Sequence, residues 1–376
     1  MKAEGSASGQ DCLVIGGGVI GLGVAWELSR LGLGVTLVER HHRCGRATSA
    51  AAAGMLAAGV EAGSPGPFFE LCRASSELWK GWADSLQEAS SVDCEYDRCG
   101  LVRVTCSAER LPVLEARRDW QRSQGIAVSE TLSPERLREE APGMSSDVVA
   151  GLLYPSEGQV HSHRVVEALE VACRRAGVQV KTSFEVAGLS VQGDRPVVIG
   201  TDGGRLHADH VVVAAGPWSG SWLAPLGVSV VVEPVRGQIA AIVQPPASIP
   251  RIVFGDHGYI VQKRSGLTLV GATEEKVGFS SWQTLAALSQ LSQVAQELLP
   301  GVASAPFSHS WAGLRPYAHG GPLLGRTPAT KRVLLATGHY RNGILLAPVT
   351  AKLMARAVVE GEDPPELMPF SPGRVA

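Results

Sequence analysis

Two arginines and a tyrosine are the side chains in this sequence best suited to hold a carboxylate. Arg315 lies in "WAGLRPY", Arg341 in "GHYRNGILLAP" and Tyr259 in "DHGYIVQK". A guanidinium grips a carboxylate through two parallel charged hydrogen bonds, and a phenol adds a third donor. These residues predict a clamp for the carboxylate of a small substrate. The alternative is that both arginines pair with structural acids and that Tyr259 only packs.

The stretch "RVLLATGHYRNGILLAP" predicts how Arg341 is positioned: a strand ending at Gly338, a loop, and a helix beginning near Leu346. Pro348 fits best in the first turn of a helix. The backbone N–H groups of residues 342–346 are then expected to lack partners within the helix. The pyrimidine edge of a flavin is a suitable acceptor, because a helix N-terminus favours the negative charge of a reduced flavin. The clamp would hold a substrate Cα–H over flavin N5, as hydride transfer requires.

Residues 11–40 carry the strongest local signal, a complete βαβ unit. It consists of a strand, the pattern G-x-G-x-x-G at Gly16, Gly18 and Gly21, a helix over 19–31, and a second strand ending at Glu39. The glycines let the backbone approach a pyrophosphate, and the helix N-terminus offers free N–H groups to it. Glu39 can accept hydrogen bonds from a ribose. The unit predicts dinucleotide binding; the alternative is a tight turn in an ordinary α/β domain.

The sequence after the βαβ unit argues against a nicotinamide dinucleotide. A small-residue loop, "CGRATSAAAAGMLAAG" at 44–59, stands where regular β-α repeats would continue. Thr48 and Ser49 in it could donate to phosphate or ring atoms; the alternative is a flexible surface loop. Gly216 in "HVVVAAGPWSG" again suggests backbone pressed against a ligand. Only one G-x-G-x-x-G occurs, so we expect one dinucleotide, reduced directly by the substrate.

The remaining patterns predict an α/β protein with two interleaved domains, because nucleotide-binding pieces recur early, midway and late with β-rich sequence between them. Antiparallel strands are expected over 178–192 and 195–216, with a "DGG" turn at 202–204, and more strands over 94–106 and 228–275. Helices are expected over 68–90, most of 107–142, 164–176 and 282–299. Ser162 is the expected N-cap of the third of these, which disfavours a metal at "HSH", 161–163.

Composition excludes several classes of protein. The 376 residues carry a net charge of −2 with no basic block, which favours neither nucleic acid nor an anionic membrane. No apolar run reaches the roughly 20 residues that span a bilayer. Seven cysteines, an odd number without Cys-x-x-Cys, favour reduced thiols in a cytoplasmic protein over disulfides or a metal site. The N-terminal "MKAEGSASGQ" lacks an apolar signal core and is expected to be a frayed tail.

Five motifs resemble the FAD-dependent D-amino-acid oxidase superfamily: "VIGGGVIGLGVAWEL…TLVER", "ATSAAAAGM", "HVVVAAGPWSG", "WAGLRP" and "GHYRNGILLAP". The last two resemble, within it, the glycine oxidase of thiamine biosynthesis. The resemblance runs over about residues 11–365. It implies a Rossmann-type FAD-binding domain (11–85, 145–225 and 318–370) interleaved with an antiparallel β-sheet-rich substrate domain (86–144 and 226–317). It also implies non-covalent FAD, because the cysteine that links flavin in the related sarcosine oxidases has no counterpart near "RPYAHGG".

The resemblance also implies roles for single residues. Arg315 and Tyr259 would bind the substrate carboxylate with Arg341 beside them, and His257 and Met55 would support the active site. Val186 would meet the adenine half of FAD through its backbone. With the glycines named above, the residues expected to line FAD are Gly16, Gly18, Val19, Ile20, Gly21, Glu39, Arg40, Thr48, Ser49, Gly54, Met55, Val186, Gly216, His339, Tyr340, Arg341, Asn342, Gly343, Ile344 and Leu345. Of these, residues 339–345 would hold the isoalloxazine.

The implied activity is oxidative deamination of glycine, or of a small amine or D-amino acid such as sarcosine or D-alanine. Hydride transfer to FAD and reoxidation by O2 would give H2O2, and the imine would serve thiazole synthesis. A homo-oligomer, tetramer or dimer, is also implied. Alternatives are a dehydrogenase that passes electrons to a quinone or carrier, a secondary-amine oxidase, and a flavoprotein whose FAD is structural. Two departures are a loop "SAAAAG" one alanine longer than usual and Tyr340 where phenylalanine would also fit.

Overall fold

A computed structural model gives the structure of residues 10–193, 195–245 and 247–374. Residues 1–9 of the predicted tail lie outside these ranges. The strands are β1 (Gln10–Ile15), β2 (Val35–Val38), β3 (Met55–Leu56), β4 (Leu101–Thr105), β5 (Ala150–Tyr154), β6 (Gly158–Gln159), β7 (Gln179–Lys181), β8 (Val186–Gln192), β9 (Arg195–Gly200), β10 (Arg205–Val213), β11 (Val232–Val243), β12 (Ile252–Phe254), β13 (Tyr259–Gln262), β14 (Leu267–Gly271), β15 (Phe307–Ala318), β16 (Leu323–Thr327) and β17 (Thr330–Thr337). The α-helices are α1 (Val19–Arg30), α2 (Ala58–Glu61), α3 (Pro67–Ser90), α4 (Leu111–Ser123), α5 (Pro134–Glu140), α6 (Ser162–Arg175), α7 (Leu285–Leu298), α8 (Pro300–Ala303) and α9 (Ala347–Glu360).

The first sheet is built around the predicted βαβ unit. Its parallel centre runs β17-β10-β1-β2-β7, with antiparallel β16 at one edge and β9 and β8 extending from β10. β1 and β2 are buried on both faces, which explains their continuous apolar sequences. The "DGG" turn closes the hairpin of β9 and β10 as predicted. The prediction that 179–181 is antiparallel is wrong: β7 follows α6, which packs in the same core as α1, so it returns parallel to β2.

The second sheet has the order β15-β11-β14-β13-β12-β4-β5 and is antiparallel except where β12 meets β4. Its pairing sets Arg315 of β15 opposite Val235 of β11. β5 lies in the segment 145–225 that the sequence assigns to the first domain, yet it pairs with β4 in this sheet. The domain boundaries therefore stay a prediction, while the mixture of a parallel and an antiparallel sheet is the expected one.

The predicted helix over 107–142 is interrupted. Gly125, with φ of +78°, ends α4, and the chain then runs extended to α5. The N–H of Ser129 donates to the carbonyl of Leu153, and the N–H of Leu132 donates to that of Gly151. Pairing with β5 thus competes successfully with helix propensity, which is a non-local effect that the local pattern does not contain.

The helix α6 begins at Ser162, earlier than predicted. Its N-cap is His161, and Ser162 is its first residue, so the predicted cap is wrong. The Ser162 hydroxyl instead donates to the carbonyl of Ala52 at 2.6 Å and ties α6 to the alanine-rich loop. Within the described ranges, no three His, Cys, Asp or Glu side chains form a group able to hold a metal. None of the helices described is long and apolar enough to cross a membrane.

Candidate active site

A cavity of about 660 Å³ lies between the carboxyl ends of the parallel strands β1, β2, β10 and β17 and the second sheet. Open α/β sheets bind their ligands at this edge. Small-molecule and cofactor sites have volumes of roughly 300–1,000 Å³, so the cavity is of suitable size. Its wall includes every residue predicted to bind the cofactor or the substrate except Gly21 and Leu345.

Gly21 lies behind the cavity wall and is required by packing. A Cβ built there would stand 1.9 Å from the carbonyl oxygen of Gly16, itself at a φ of +111°. This close contact sets α1 against the end of β1. Gly18 is the N-cap of α1, and within the described chain the N–H of Ile20 has no hydrogen-bond acceptor. The first turn of α1 therefore presents a free donor and a positive dipole end to the cavity, as an anion requires.

Glu39 closes this end of the cavity. Its Oε2 accepts the N–H of Gly17 at 2.8 Å, and its Oε1 accepts the N–H of His41 at 2.9 Å and contacts His41 Nδ1 at 2.8 Å. The carboxylate is thus fixed beside the glycine loop, with capacity to accept one more hydrogen bond. The guanidinium of the neighbouring Arg40 lies 3.7 Å above the ring of Trp218, another wall residue.

The hydroxyls of Thr48 and Ser49 have different roles. Ser49 Oγ accepts the N–H of Val19 at 3.0 Å, so its hydrogen remains free to donate into the cavity. Thr48 Oγ1 donates to the carbonyl of Leu314 at 2.7 Å. The Thr48 hydroxyl thus has a partner within the protein, and its donation to a phosphate or ring atom stays a prediction. A hydroxyl has a single hydrogen, and this one holds the loop against β15.

The turn before α9 has three backbone donors without a partner in the described chain, and two of them, on Gly343 and Ile344, belong to residues of the cavity wall. The predicted range of free N–H groups is too wide at both ends, because the N–H of Asn342 donates to His339 and that of Leu346 to Asn342. In the described part of the chain, the N–H groups of Gly343, Ile344 and Leu345 have no acceptor. α9 itself begins at Ala347, one residue after the predicted start.

Side chains from α3 and α9 hold this turn. Ser75 Oγ and Trp79 Nε1 both donate to the carbonyl of Leu345, at 2.6 and 2.9 Å. The imidazole of His339 bonds to Thr350 Oγ1 at 3.1 Å, and burial lowers the pKa of His339 to about 3, so the ring is neutral. The three free N–H groups are thus fixed in place before any ligand binds, and they fit the pyrimidine edge of a flavin.

At the other end of the cavity, Arg315 and Tyr259 lie against glycine backbone. A Cβ on Gly237 would stand 2.2 Å from Arg315 Nη2, and a Cβ on Gly271 would stand 2.3 Å from Tyr259 Cζ. Arg315 Nη1 donates to the carbonyl of Thr273 at 2.9 Å, which leaves the other N–H groups for a ligand. Burial raises the pKa of Tyr259 to about 12, so the phenol keeps its proton and can donate it.

Arg341 has a partner that the sequence did not reveal. Its Nη2 lies 2.9 Å from Oε2 of Glu61, whose side chain is only 8% exposed. Glu61 is the last residue of α2 and lines the cavity. The alternative left open for Arg341, pairing with an acid of the protein, is thus realised in part.

His257, which was predicted to support the site, lies exposed at the rim, 3.0 Å from Glu297.

A buried acid holds α2 in place. Glu157, 5% exposed, accepts the N–H of Ala58 at 3.0 Å and that of Gly59 at 2.7 Å. Burial raises the pKa of Glu157 from 4.5 to about 7, against the effect of these two hydrogen bonds. Because α2 has only four residues, Glu157 fixes the position of Glu61 as well.

Glu157→Gln is expected to flatten the pH dependence of stability between about pH 5 and 8. The folded pKa of Glu157 exceeds the unfolded value, so its bound proton stabilises the fold fully below pH 4.5 and that stability is lost as pH rises through about 7. The loss is on the order of 3 kcal/mol at most. Thermal unfolding of both proteins at the two pH values measures it. Equal slopes for the two proteins would contradict the assignment.

Comparison with known proteins places this chain in a family. The family model described as FAD dependent oxidoreductase, DAO, matches residues 11–357. The glycine oxidase of Bacillus licheniformis is 32% identical over 352 residues, 93% of each chain. The crystal structure of glycine oxidase from Geobacillus kaustophilus has a TM-score of 0.93 at 30% identity and covers 98% of this chain and 99% of that one. The bifunctional protein ThiO/ThiG of Nostoc sp. strain PCC 7120 is 36% identical over 96% of this chain, which spans only 54% of that relative. The chain belongs to the DAO family of FAD-dependent oxidoreductases.

Proposed function

We propose that this chain oxidises the Cα–N bond of glycine or of another small amino acid or amine such as sarcosine or D-alanine. The continuity of the cavity supports this most. The glycine loop and Glu39, the clamp residues Arg315 and Tyr259, and Gly343 and Ile344 with their free N–H groups all line this one cavity. The likeness to proteins named glycine oxidase, which the chain matches along almost their whole length, supports it independently.

The residues present fit FAD held without a covalent bond. The first turn of α1 would take the pyrophosphate, Glu39 a ribose hydroxyl, and the backbone donors of 343–345 the pyrimidine edge of the flavin. When bound, FAD supplies the acceptor for a hydride and passes the electrons on to O2. The protein supplies fixed donors whose positions need no rearrangement, because α3 and α9 already hold them.

The side chains of the clamp orient the substrate. Arg315 takes the carboxylate through two N–H groups, and the protonated phenol of Tyr259 adds a third hydrogen bond. Arg341 lies beside them and divides its donors between Glu61 and the substrate. With the carboxylate fixed, a substrate as small as glycine has few orientations left, and one of its Cα hydrogens can be presented in a constant direction.

The proton balance requires no basic side chain. A substrate that enters as the neutral amine loses a hydride from Cα and a proton from nitrogen, which leaves an imino acid. The two electrons, together with two protons, convert O2 to H2O2. The imine then hydrolyses or is consumed by thiazole synthesis, as the resemblance to the enzyme of thiamine biosynthesis implies. The proposal includes a cytoplasmic homo-oligomer, dimer or tetramer, with the two interleaved domains given above.

An anaerobic titration of the flavin protein tests this function. Glycine, sarcosine, D-alanine and D-proline are added separately, and bleaching of the flavin absorbance is followed. We expect glycine or sarcosine to reduce the flavin fully, and O2 to restore the colour with one H2O2 for each substrate consumed. Reduction without rapid reoxidation by O2 would instead indicate a dehydrogenase that uses a quinone or carrier. Persistent colour with every amine would refute the proposal and favour a structural role for FAD.

A further inference from the structure

Glu275 lies outside the cavity wall, and its carboxylate, 27% exposed, bonds to three buried side chains. Its Oε1 accepts from Thr273 Oγ1 and from Gln238 Nε2, both at 2.7 Å, and its Oε2 pairs with Arg236. Thr273, Gln238 and Arg236 are 2%, 2% and 5% exposed. Burial would raise the pKa of Glu275, but hydrogen bonds from Arg236, Thr273 and Gln238 outweigh it and hold the pKa at about 2.

One branch of this network reaches Arg315. The carbonyl of Thr273 accepts a hydrogen bond from Arg315 Nη1 at 2.9 Å. Within the described chain, this bond is the one that the protein provides to the Arg315 guanidinium. Thr273 itself is fixed three times. Its hydroxyl donates to Glu275 and accepts the N–H of Gln238 at 3.0 Å, and its own N–H donates to the Gln238 carbonyl at 3.3 Å. The direction of the carbonyl that holds Arg315 thus depends on Glu275.

The other branches fix the chain that follows. Arg236 Nη1 donates to the carbonyl of Trp282 at 2.9 Å, and Gln238 Oε1 accepts the N–H of Thr284 at 2.9 Å. Thr284 is the N-cap of α7 and accepts the N–H of Ala287. The backbone of Glu275 also exchanges two hydrogen bonds with Arg236 of β11. The Glu275 carboxylate therefore connects β11 directly with the residues that follow β14. It is linked to the start of α7 through Arg236 and Gln238.

We propose that Glu275 is a positioning residue for the substrate carboxylate, acting through Thr273 on Arg315. The inference rests on the proposed function of the same cavity and adds a determinant that does not touch the substrate. An arginine side chain has many rotamers, and the flat contact with Gly237 fixes the plane of this guanidinium but not its rotation within that plane. The Thr273 carbonyl fixes that rotation, so two of the four remaining N–H groups can meet a carboxylate in register.

The test compares Glu275→Gln and Thr273→Val in the FAD-loaded protein. Thr273→Val replaces the hydroxyl by a methyl group and leaves the carbonyl, so it breaks the bond to Glu275 together with that from the Gln238 N–H, and it keeps the test usable if Glu275→Gln folds poorly. Both variants are expected to raise KM for glycine about tenfold and to change kcat by less than about twofold. This pattern arises when an interaction that binds the substrate and the transition state equally is lost. In an Arg315→Ala background, Glu275→Gln is expected to leave kcat/KM unchanged, because the group that it positions is gone.

A second readout separates this inference from the proposed function. Acetate carries the carboxylate without the amine, and its binding is followed by the change that it causes in flavin absorbance. Its Kd is expected to rise about tenfold in both variants, the loss expected from a misaligned charged hydrogen bond. Wild-type protein that binds acetate in this pattern but does not oxidise glycine would refute the function and leave the inference standing.

Glu140→Gln is the matched control. Glu140 pairs with Arg251 at 2.8 Å and is 22% exposed, against 27% for Glu275, but it lies on α5 outside the cavity wall. It is expected to lower the thermal midpoint and leave KM and the acetate Kd unchanged. The inference is overturned if Glu275→Gln and Thr273→Val behave like this control. The inference is also overturned if Glu275→Gln and Arg315→Ala lower kcat/KM independently, so that their effects multiply in the double variant. Absence of acetate binding by the wild type would overturn it as well.

Discussion

Arg315→Ala is expected to lower kcat/KM for glycine by at least about 100-fold. The substitution removes two charged hydrogen bonds to the substrate carboxylate, together about 3 kcal/mol or more. It also leaves the Thr273 carbonyl without the donor that it now has at 2.9 Å. Arg315→Lys keeps the charge but not the fork, so an intermediate loss is expected. Steady-state rates of H2O2 formation over a range of glycine concentrations measure all three proteins.

Arg341 gives the internal comparison, because Glu61 already engages one of its N–H groups at 2.9 Å. Removing Arg341 alone would leave a buried, unpaired carboxylate facing the substrate, so the comparison variant is Arg341→Ala with Glu61→Gln. Its loss in kcat/KM is expected to be about tenfold, smaller than that of Arg315→Ala. Arg136→Ala, which removes an exposed arginine of α5, is expected to have no effect. A KM for Arg315→Ala equal to that of the wild type would show that the clamp is wrongly assigned.

The parts of this fold that the sequence predicts are those whose cause is local. In the βαβ unit the apolar runs, the glycine spacing and Glu39 all fall within residues 11–40, so strand, turn, helix and strand follow from contacts between near neighbours. The same holds for the "DGG" hairpin. The resemblance to known flavoproteins then supplied the long-range arrangement, which brings Arg315, Tyr259 and Arg341 to one cavity wall.

The features of the site that the sequence did not predict depend on contacts between segments that are far apart in the chain. Glu61 and Arg341 are 280 positions apart, and Thr48 and Leu314 are 266 apart, so no local pattern records either contact. Glu61 ends a four-residue helix after an alanine-rich loop, where nothing distinguishes it from a solvent-exposed acid. Glu275 is one of two consecutive acids in "ATEEKV", and only the pairing of β11 with the chain after β14 shows that Glu275 meets Arg236 while Glu274 lines the cavity.

Gly21 carries a prediction in which two effects oppose each other. Alanine is a better helix former than glycine by about 1 kcal/mol, so Gly21→Ala in the first turn of α1 would be stabilising on propensity alone. A Cβ at Gly21, however, would stand 1.9 Å from the carbonyl oxygen of Gly16, well inside van der Waals contact. That oxygen belongs to the backbone at the end of β1 and cannot rotate away as a side chain would. Overpacking typically costs about 1–3 kcal/mol, and overlap with fixed backbone belongs to the upper end of that range, so the clash outweighs the propensity.

Gly21→Ala is therefore expected to lower the thermal midpoint and to abolish stoichiometric FAD binding, because α1 must move away from β1 and carry the Ile20 N–H with it. The ratio of flavin to protein absorbance and thermal unfolding with and without added FAD measure the two effects. Gly81→Ala is the matched control: Gly81 lies within α3, and a Cβ there would meet nothing within 4 Å. It is expected to gain stability by about 0.5–1 kcal/mol with FAD content unchanged. If Gly21→Ala behaved in the same way, the contact between α1 and Gly16 would not be what shapes the cofactor end of the cavity.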